Sequence, residues 1–423
     1  MTHTECVSPS RENVAVAKPG VRADRILYGL AFGAAASILF SIAVSQILLG
    51  VSTVALLISR RRLRFPPIGL PLALFFVATV IADLLSGDPL KGVPQIRKFF
   101  VFGIVLVLFN TFNSIAQIRH LVLAWTGIAT VSAGLALAQF ARRWEEAVQL
   151  HASIYDYVLD GRITGFASHW MTYGGEQMIV LLMLLALLLC APGGLWKMFG
   201  WAAAAIIWIA IVLGLTRSIF LVAVPAGVLL LAWNYKRWLV WASPAVALVM
   251  FLAAPPQIQD RVFSVFRPHG DVDSNSRRTI MARTGLRMIE AHPVFGIGPE
   301  QIQPQFLKYL PSDVPLPLPK GWYGHLHNVY LQYAAERGLP ALAFVLWIIG
   351  RMAIDLWKAL RVSPRRAEAR FIWLGGLAVT AAVLAEGFFE YNLGDSEVLT
   401  MFLATLTCGY IAIRSQDESV APQ

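Results

Sequence analysis

Residues 198–233 read MFGWAAAAIIWIAIVLGLTRSIFLVAVPAGVLLLAW, two apolar runs separated by a single charged residue, Arg217. Each run approaches the ~20 apolar residues that a helix needs to cross a bilayer. An arginine at the bilayer centre costs roughly 2.5–3.5 kcal/mol even on a lenient insertion scale. Most of this cost disappears if residues 216–218 form the turn of a helical hairpin at the membrane surface. The stretch therefore predicts two membrane-spanning helices joined by a turn that carries an arginine.

The rest of the chain has the same character. Of its 423 residues, 57% are hydrophobic and 14% are charged, which excludes a water-soluble globular protein. The apolar runs are long and continuous, whereas a β-barrel would show short alternating strands. We predict an all-α polytopic membrane protein with about 12 transmembrane helices. Two lie within residues 26–58, and the others lie at 68–85, 99–112, 118–140, 177–190, 198–215, 219–233, 239–254, 339–356, 371–389 and 398–413.

The basic residues predict the topology. They cluster at residues 60–64 and 361–370, which the positive-inside rule places in the cytoplasm, so the net charge of +10 requires no nucleic acid partner. The three cysteines imply no disulfide framework. The N-terminus lacks the apolar region of a signal peptide. The predicted segments are a cytoplasmic tail (1–25), transmembrane helices 1–9 with a far-side loop at about 141–172 (26–254), a large far-side loop (255–338), transmembrane helices 10–12 (339–414) and a cytoplasmic tail (415–423).

Arginines are concentrated at the start of the segment NSRRTIMARTGLRMIE, residues 275–290. Capping by Ser274 or Asn275 would place Arg277 and Arg278 in the first turn of a helix. Free N–H groups and the helix dipole already favour an anion there, so the arginine pair indicates an anionic ligand. The alternative is a solvated or lipid-headgroup-facing surface. Arg217 has two interpretations as well, a snorkelling side chain or a buried cation that grips a phosphate.

Two histidines precede an amphipathic run in HLHNVYLQYAAERG, residues 325–338. We expect a helix to run through His325 and His327 and to break at Gly338 and Pro340 before the next span. A neutral imidazole can accept a proton near neutral pH, as a general base must, and Asn328 could orient a sugar hydroxyl. The alternative is a pair of interfacial histidines without a chemical role.

Metal binding is a weaker hypothesis. H-x-H is a zinc-ligand spacing, but no Cys or carboxylate cluster lies nearby in the sequence. Asp271 and Asp273 form a D-x-D pattern that can bind a divalent metal beside a nucleotide sugar. The two glycines of Gly296–Gly298 are explained most simply as a turn. Four acidic residues that flank the last far-side turn either pair with the arginines or are solvated: Glu386, Glu390, Asp395 and Glu397.

Four segments together resemble the O-antigen ligase and O-antigen polymerase superfamily of bacterial envelope glycosyltransferases. LTRS at Leu215 is similar to the family's Ser-Arg-Gly-like turn, and RITGFASHW (162–170) to its Arg-x-x-Gly-Phe segment. SRRTIMARTGLRMIEAHPVFGIG resembles its Arg-x-x-x-Trp…His-Pro-x-x-Gly-x-Gly block, with Met281 where the family often has Trp. HLHNVYLQYAAERGLPA resembles its His-Asn-x-x-Leu…Glu-x-Gly-Leu run.

The resemblance implies a GT-C-like fold in the bacterial inner membrane, with short helices in a periplasmic catalytic loop at 255–338. It also implies transfer of a glycan from undecaprenyl pyrophosphate on the periplasmic side. Arginines can stabilise the departing pyrophosphate without a metal or other cofactor, and backside attack at the anomeric carbon would invert its configuration. His327 would be the catalytic base, and Arg217 with Arg277 or Arg278 would bind the pyrophosphate. Further residues that could bind substrate are His325, Asn328, Arg142, Arg162 and His169.

The expected activity is ligation of O-antigen onto lipid A–core, because a chain of this size without an added soluble domain fits a ligase best. The alternatives within the superfamily are a polymerase, whose acceptor is another lipid-linked glycan, and a protein O-oligosaccharyltransferase. From a different class, a flippase or secondary transporter would show repeat symmetry and ionisable groups at the membrane midplane. The expected partners are the two glycolipids and membrane lipids.

Overall fold

The described part of the chain is built from helices. The computed structural model describes residues 19–254, 256–263, 274–318 and 323–420, and no β-strand occurs in these ranges. The first helices are α1 (Pro19–Ala36), α2 (Ile42–Ile58), α3 (Gly69–Leu84), α4 (Pro89–Arg97), α5 (Gly103–Thr111), α6 (Ile115–Gln149), α7 (Ile154–Asp160), α8 (Trp170–Cys190) and α9 (Trp196–Leu213). The others are α10 (Val224–Tyr235), α11 (Trp238–Leu252), α12 (Pro256–Phe263), α13 (Ser274–Ala291), α14 (Ile302–Gln305), α15 (Val329–Val362), α16 (Arg370–Glu386) and α17 (Ser396–Val420).

Within these described ranges, seven helical segments are long and apolar enough to cross a membrane. They are Pro89–Thr111, Ile115–Gln149, Trp170–Cys190, Trp196–Leu213, Ser218–Tyr235, Val329–Val362 and Ser396–Glu418. A helix also lies at each of the other predicted spans. The all-α, multi-pass class is therefore confirmed, and the number of crossings remains a prediction. Both ends of the described bundle are helical further than expected, since α1 begins at Pro19 and α17 continues to Val420.

Helices α8 and α17 form the centre of the bundle. In the apolar 18-residue stretch of each of these helices, 83% is buried inside the protein, compared with 28–44% in the other long spans. Helix α8 packs against α6, α9 and α16 as well as α17. Small residues allow membrane helices to approach closely, and Gly175 of α8 lies where a side chain would overlap Val398 of α17. This packing fixes the positions of the ends of both helices.

Helices α12 to α14 belong to the predicted large loop, and part of this segment has a small apolar core of its own. That core is formed by Met281, Met288, Ile297, Ile302, Phe306, Tyr309, Leu326 and Ala335. Because Ala335 belongs to α15, the loop helices are anchored on a membrane helix rather than tethered loosely to it.

The segment after α13 packs backbone to backbone on a kink in α15. Leu339 N donates to Pro293 O (2.8 Å) across this contact. Gly338 has φ 84° and ψ 166°, and a side chain there would overlap the packed segment. Gly296 and Gly298 also have positive φ, 68° and 101°. The predicted break at Gly338 and the predicted glycine turn are confirmed.

The other end of the bundle is basic. Arg64 pairs with Glu418 (3.5 Å) and Arg119 pairs with Glu368 (3.7 Å). These pairs join the loops that follow α2 and α15 to the start of α6 and the end of α17. The basic clusters of the sequence therefore lie at the end of the bundle opposite to α12–α14.

Candidate active site

Arg217 lies at the end of the turn between α9 and a π-helical segment, Ser218–Ala223, that leads into α10. Leu215 has φ 53°, a strained left-handed conformation that persists only when the surrounding structure enforces it. Arg261 of α12 donates from Nε to the Leu215 carbonyl (3.0 Å), and Arg217 donates to Asn275 Oδ1 (3.2 Å). A turn joins the two helices as predicted, but it lies at residues 214–216 instead of 216–218, and α12 and α13 hold it in place.

The first turns of α13 carry Arg277 and Arg278, as predicted. Cations at a helix N-terminus are unfavourable unless an anion compensates them. Arg278 forms an ion pair with Glu390, whose side chain is only 4% exposed. The Nε of Arg277 is buried, and no hydrogen-bond partner for it exists among the described residues. Arg278 is thus neutralised by a carboxylate of the protein, whereas Arg277 has no carboxylate partner among the described residues.

His325 and His327 lie in the loop immediately before α15, so the prediction that a helix runs through them is wrong. Asn328 is the N-cap of α15, and its Oδ1 accepts from Leu331 N (2.9 Å). Asparagine is among the best N-cap residues, which explains why the helix starts after it rather than before. Asn328 Nδ2 donates to Phe388 O (3.0 Å), so the backbone uses both ends of this amide.

His327 is held by Glu390. Its Nδ1 lies 2.7 Å from Glu390 Oε2, and the other oxygen of this carboxylate binds Arg278. Since a carboxylate only accepts hydrogen bonds, we assign the proton of the neutral imidazole to Nδ1. The lone pair is then on Nε2, as in a general-base histidine oriented by a carboxylate. The positive φ of His327, 48°, shows that the backbone is also constrained here.

His325 packs against His327, with ring centroids 4.1 Å apart and an interplanar angle of 72°. Burial lowers the pKa of His325 to about 4, and the neighbouring His327 adds to this effect. His325 is therefore neutral at neutral pH. It contributes a polar, uncharged surface to the site.

The segment 162–170 supplies another wall. The Arg162 guanidinium lies 5.0 Å from the centroid of the Trp170 ring, a cation–π distance. Burial lowers the pKa of Arg162 to about 10, with repulsion from Arg261 as a second cause, so it remains charged at neutral pH. His169 caps α8 by accepting from Met171 N (3.3 Å), and burial lowers the pKa of His169.

All these segments meet at one cavity of about 360 Å³. Its lining residues are Arg162, His169, Trp170, Met171, Thr216, Arg217, Ser218, Arg261, Arg277, Arg278, Met281, His325, His327 and Glu390. Seven of the nine predicted site residues are among them. The two others are not: Asn328 caps a helix, and Arg142 is exposed on α6.

Two charged residues of the cavity were not among the predicted site residues. Arg261 is 8% exposed and was not considered, although a lone arginine in PQIQDRVF directly after an apolar span is a signal that could have found it. Glu390 is also buried, and it was named only within a group of acidic residues. Its partners are 63 and 112 residues away in the chain, so no local spacing indicates its role.

Metal ligation finds no further support in the described ranges, where no group of three or more His, Cys, Asp or Glu side chains is arranged to hold a metal ion. Asp271 and Asp273 lie outside the described residues.

Fold and site together define a multi-pass α-helical membrane protein with an arginine-lined cavity at one end of its bundle. Residues 202–346, about a third of the chain, match a family model described as O-antigen ligase, which confirms the predicted resemblance to this superfamily. The family indicates a glycosyltransferase of the O-antigen ligase/polymerase type. No curated protein matches the chain. The matched range contains Arg217, Arg261, the α13 arginines and both loop histidines, whereas Arg162, His169 and Glu390 lie outside it.

Proposed function

We propose that the chain ligates O-antigen glycan from undecaprenyl pyrophosphate onto lipid A–core oligosaccharide in the periplasmic leaflet of the inner membrane. The observation that supports this best is the convergence of five arginines with the His327–Glu390 pair in one cavity. A glycan on a lipid pyrophosphate has a good leaving group, so its transfer needs anion stabilisation and a base rather than a strong acid.

The arginines are suited to bind and stabilise the pyrophosphate leaving group. They come from four separate segments of the chain: the 162–170 loop, the α9–α10 turn, α12 and α13. Like charges brought together in a partly buried cavity repel each other and lose hydration, so this arrangement favours an anionic occupant. Guanidinium groups bind phosphate oxygens in a bidentate manner and stabilise charge that develops in the transition state. The anionic ligand we assign to the cavity is the pyrophosphate.

His327 is suited to act as the general base. As the acceptor oxygen attacks the anomeric carbon, Nε2 takes the hydroxyl proton and the new glycosidic bond forms. The bond from the anomeric carbon to the pyrophosphate oxygen breaks at the same time, and undecaprenyl pyrophosphate leaves with the electron pair. Glu390 stabilises the imidazolium that forms, which then releases its proton to water. Attack from the face opposite to the leaving group inverts the anomeric configuration.

The distribution of charge supports this membrane orientation. Arg64, Arg119 and their partners lie at the end of the bundle opposite to the cavity. The positive-inside rule puts that end in the cytoplasm. The cavity then faces the periplasm, where lipid A–core and the lipid-linked glycan would meet.

A deletion strain provides the first test. Lipopolysaccharide from a strain that lacks the gene should show core without polymer if the chain is a ligase, whereas a single-repeat ladder would indicate a polymerase. Lipopolysaccharide banding like that of the parent strain, with a glycosylated protein lost, would indicate a protein O-oligosaccharyltransferase. Loss of lipid-linked glycan from the periplasmic leaflet would indicate a flippase.

The base assignment needs purified protein. With lipid-linked glycan and lipid A–core in nanodiscs, His327→Ala should lower the transfer rate about 10²–10⁴-fold. His120→Ala is the matched control, because His120 is exposed near the start of α6 at the basic end of the bundle. If His327→Ala transferred glycan as fast as this control, His327 would not be the base.

A further inference from the structure

A second cavity of about 280 Å³ adjoins the arginine cavity. The two share a wall formed by His169, Met171, His325 and Glu390. The remaining residues that line the second cavity are Gln95, Lys98, Glu300, Gly324, Gln332, Glu386, Tyr391, Asn392, Gly394, Asp395 and Val398. They come from α4 and the segment after it, the loops before α14 and α15, α15 itself, and the end of α16 through the start of α17. Eight of these eleven residues lie outside the range that matches the family model.

The two cavities differ in charge. Among their lining residues, the first has five arginines and one carboxyl group, whereas the second has four carboxyl groups and one lysine. Phosphate is therefore attracted to the first cavity and disfavoured in the second. An occupant of the second cavity has to be uncharged or cationic and able to donate hydrogen bonds.

The wall of the second cavity is built from buried polar side chains. Gln332 is 2% exposed, Glu386 1% and Asn392 7%. Asn392 Nδ2 donates to Glu386 Oε2 (3.0 Å) and to Val383 O (3.0 Å), which fixes the amide. The cavity is also lined by Glu300, Glu390 and Asp395. Carboxylate oxygens accept hydrogen bonds, so this wall favours a ligand that donates them.

We infer that the second cavity binds an uncharged sugar ring of the acceptor oligosaccharide, whose hydroxyl groups donate to the carboxyl groups that line it. This inference rests on the proposed function. Displacement with inversion needs the attacking hydroxyl and the leaving pyrophosphate on opposite faces of the anomeric carbon. Two adjoining cavities of different charge can hold these two groups separately, the pyrophosphate in one and the acceptor in the other, and the proposed base His327 lines the first.

Steady-state transfer by the full chain in nanodiscs tests the inference with two variants. Asn392→Leu removes a lining amide that holds Glu386, and Glu300→Gln changes a lining carboxylate at an exposed loop position. Each should raise the KM for lipid A–core roughly 2- to 10-fold, the loss expected for one hydrogen bond, and leave the KM for the lipid-linked glycan unchanged. Asn234→Leu is the matched control, because Asn234 lies at the far end of α10.

Inorganic pyrophosphate serves as a probe of the arginine cavity. It should inhibit wild type and both variants with the same constant, which also shows that the variants are folded. If Asn392→Leu loses pyrophosphate inhibition, it is misfolded and Glu300→Gln decides. An acceptor KM within twofold of wild type in the folded variants, or a raised donor KM instead, overturns the inference. If the wild-type protein transfers no glycan to lipid A–core, the proposed function fails. If it does transfer glycan but the acceptor KM is unchanged in the variants, only the acceptor subsite is refuted.

Discussion

Glu390→Gln tests how the site is organised, because one carboxylate serves two partners. Its two oxygens accept from His327 Nδ1 and from Arg278, and a glutamine has only one oxygen in the same volume. If that oxygen faces His327, the amide NH₂ meets the Arg278 guanidinium, donor against donor. If it faces Arg278, the NH₂ points at Nδ1, which must then accept, and the proton moves to Nε2.

Either orientation of the glutamine damages catalysis. The second orientation removes the lone pair that would take the acceptor proton, so the whole contribution of the base is lost, about 10²–10⁴-fold in rate. The first keeps the tautomer but no longer stabilises the imidazolium. Arg278 is 32% exposed, so solvent limits the stability cost of losing its ion pair. We therefore expect kcat to fall at least about 10²-fold, while donor KM and thermal stability change little.

Single-turnover transfer in nanodiscs, measured from pH 5 to 9 at saturating glycolipids, separates this outcome from a folding defect. Glu368→Gln is the matched control, since it removes an exposed carboxylate from an ion pair with Arg119 at the basic end. A Glu390→Gln enzyme with a rate within twofold of wild type and the same pH profile would refute the orientation of His327 by Glu390.

Three further predictions follow from the site. Arg277→Ala should raise the KM for the lipid-linked donor at least tenfold. Arg278→Ala should mainly lower kcat, because it releases Glu390. If donor titrations gave the same changes in KM and kcat for the two variants, this division of roles would be contradicted. Burial lowers the pKa of His325 from its ordinary 6.5 to about 4, so the unfolded state binds more protons between these pH values. The folded state therefore loses stability relative to the unfolded state as the pH falls from 6.5 towards 4, and none of this loss occurs above pH 6.5. The Tm of His325→Asn should depend less on pH in this window. If the slope of Tm against pH were unchanged, His325 would be excluded as the cause. Treatment with a chelator should leave the transfer rate unchanged, and a loss restored by added divalent cation would revive Asp271 and Asp273 as ligands.

The helices could be predicted from the sequence because a membrane span must satisfy its own backbone hydrogen bonds, which makes long apolar runs nearly unambiguous. The turn at Arg217 followed from the same physics, since a cation in the bilayer centre is so unfavourable. The kink at Gly338 followed from glycine and proline placed together. Each of these inferences depends on local sequence and on the membrane as solvent.

Other features depend on distant contacts. The helix through His325 and His327 was a wrong prediction, because the strong N-cap preference of Asn328 outweighs the apolar pattern of the surrounding residues. Arg142 was among the residues predicted to bind substrate, but α6 continues to Gln149 and leaves it on an exposed face. Nothing in the local sequence distinguishes that face from the one that lines the bundle.

Arg277 and Arg278 show that a small difference in position can give two neighbouring residues different roles. Arg277 and Arg278 are neighbours of the same type, so composition and motif assign them the same role. On a helix, adjacent residues point about 100° apart, and here that rotation directs one guanidinium towards Glu390 and leaves the other without a carboxylate partner among the described residues. A cation already paired with a buried carboxylate attracts an added anion less than an unpaired one. Arg277 is therefore the better candidate to bind pyrophosphate and Arg278 to hold Glu390 against His327, a division that only the rotational position of α13 determines.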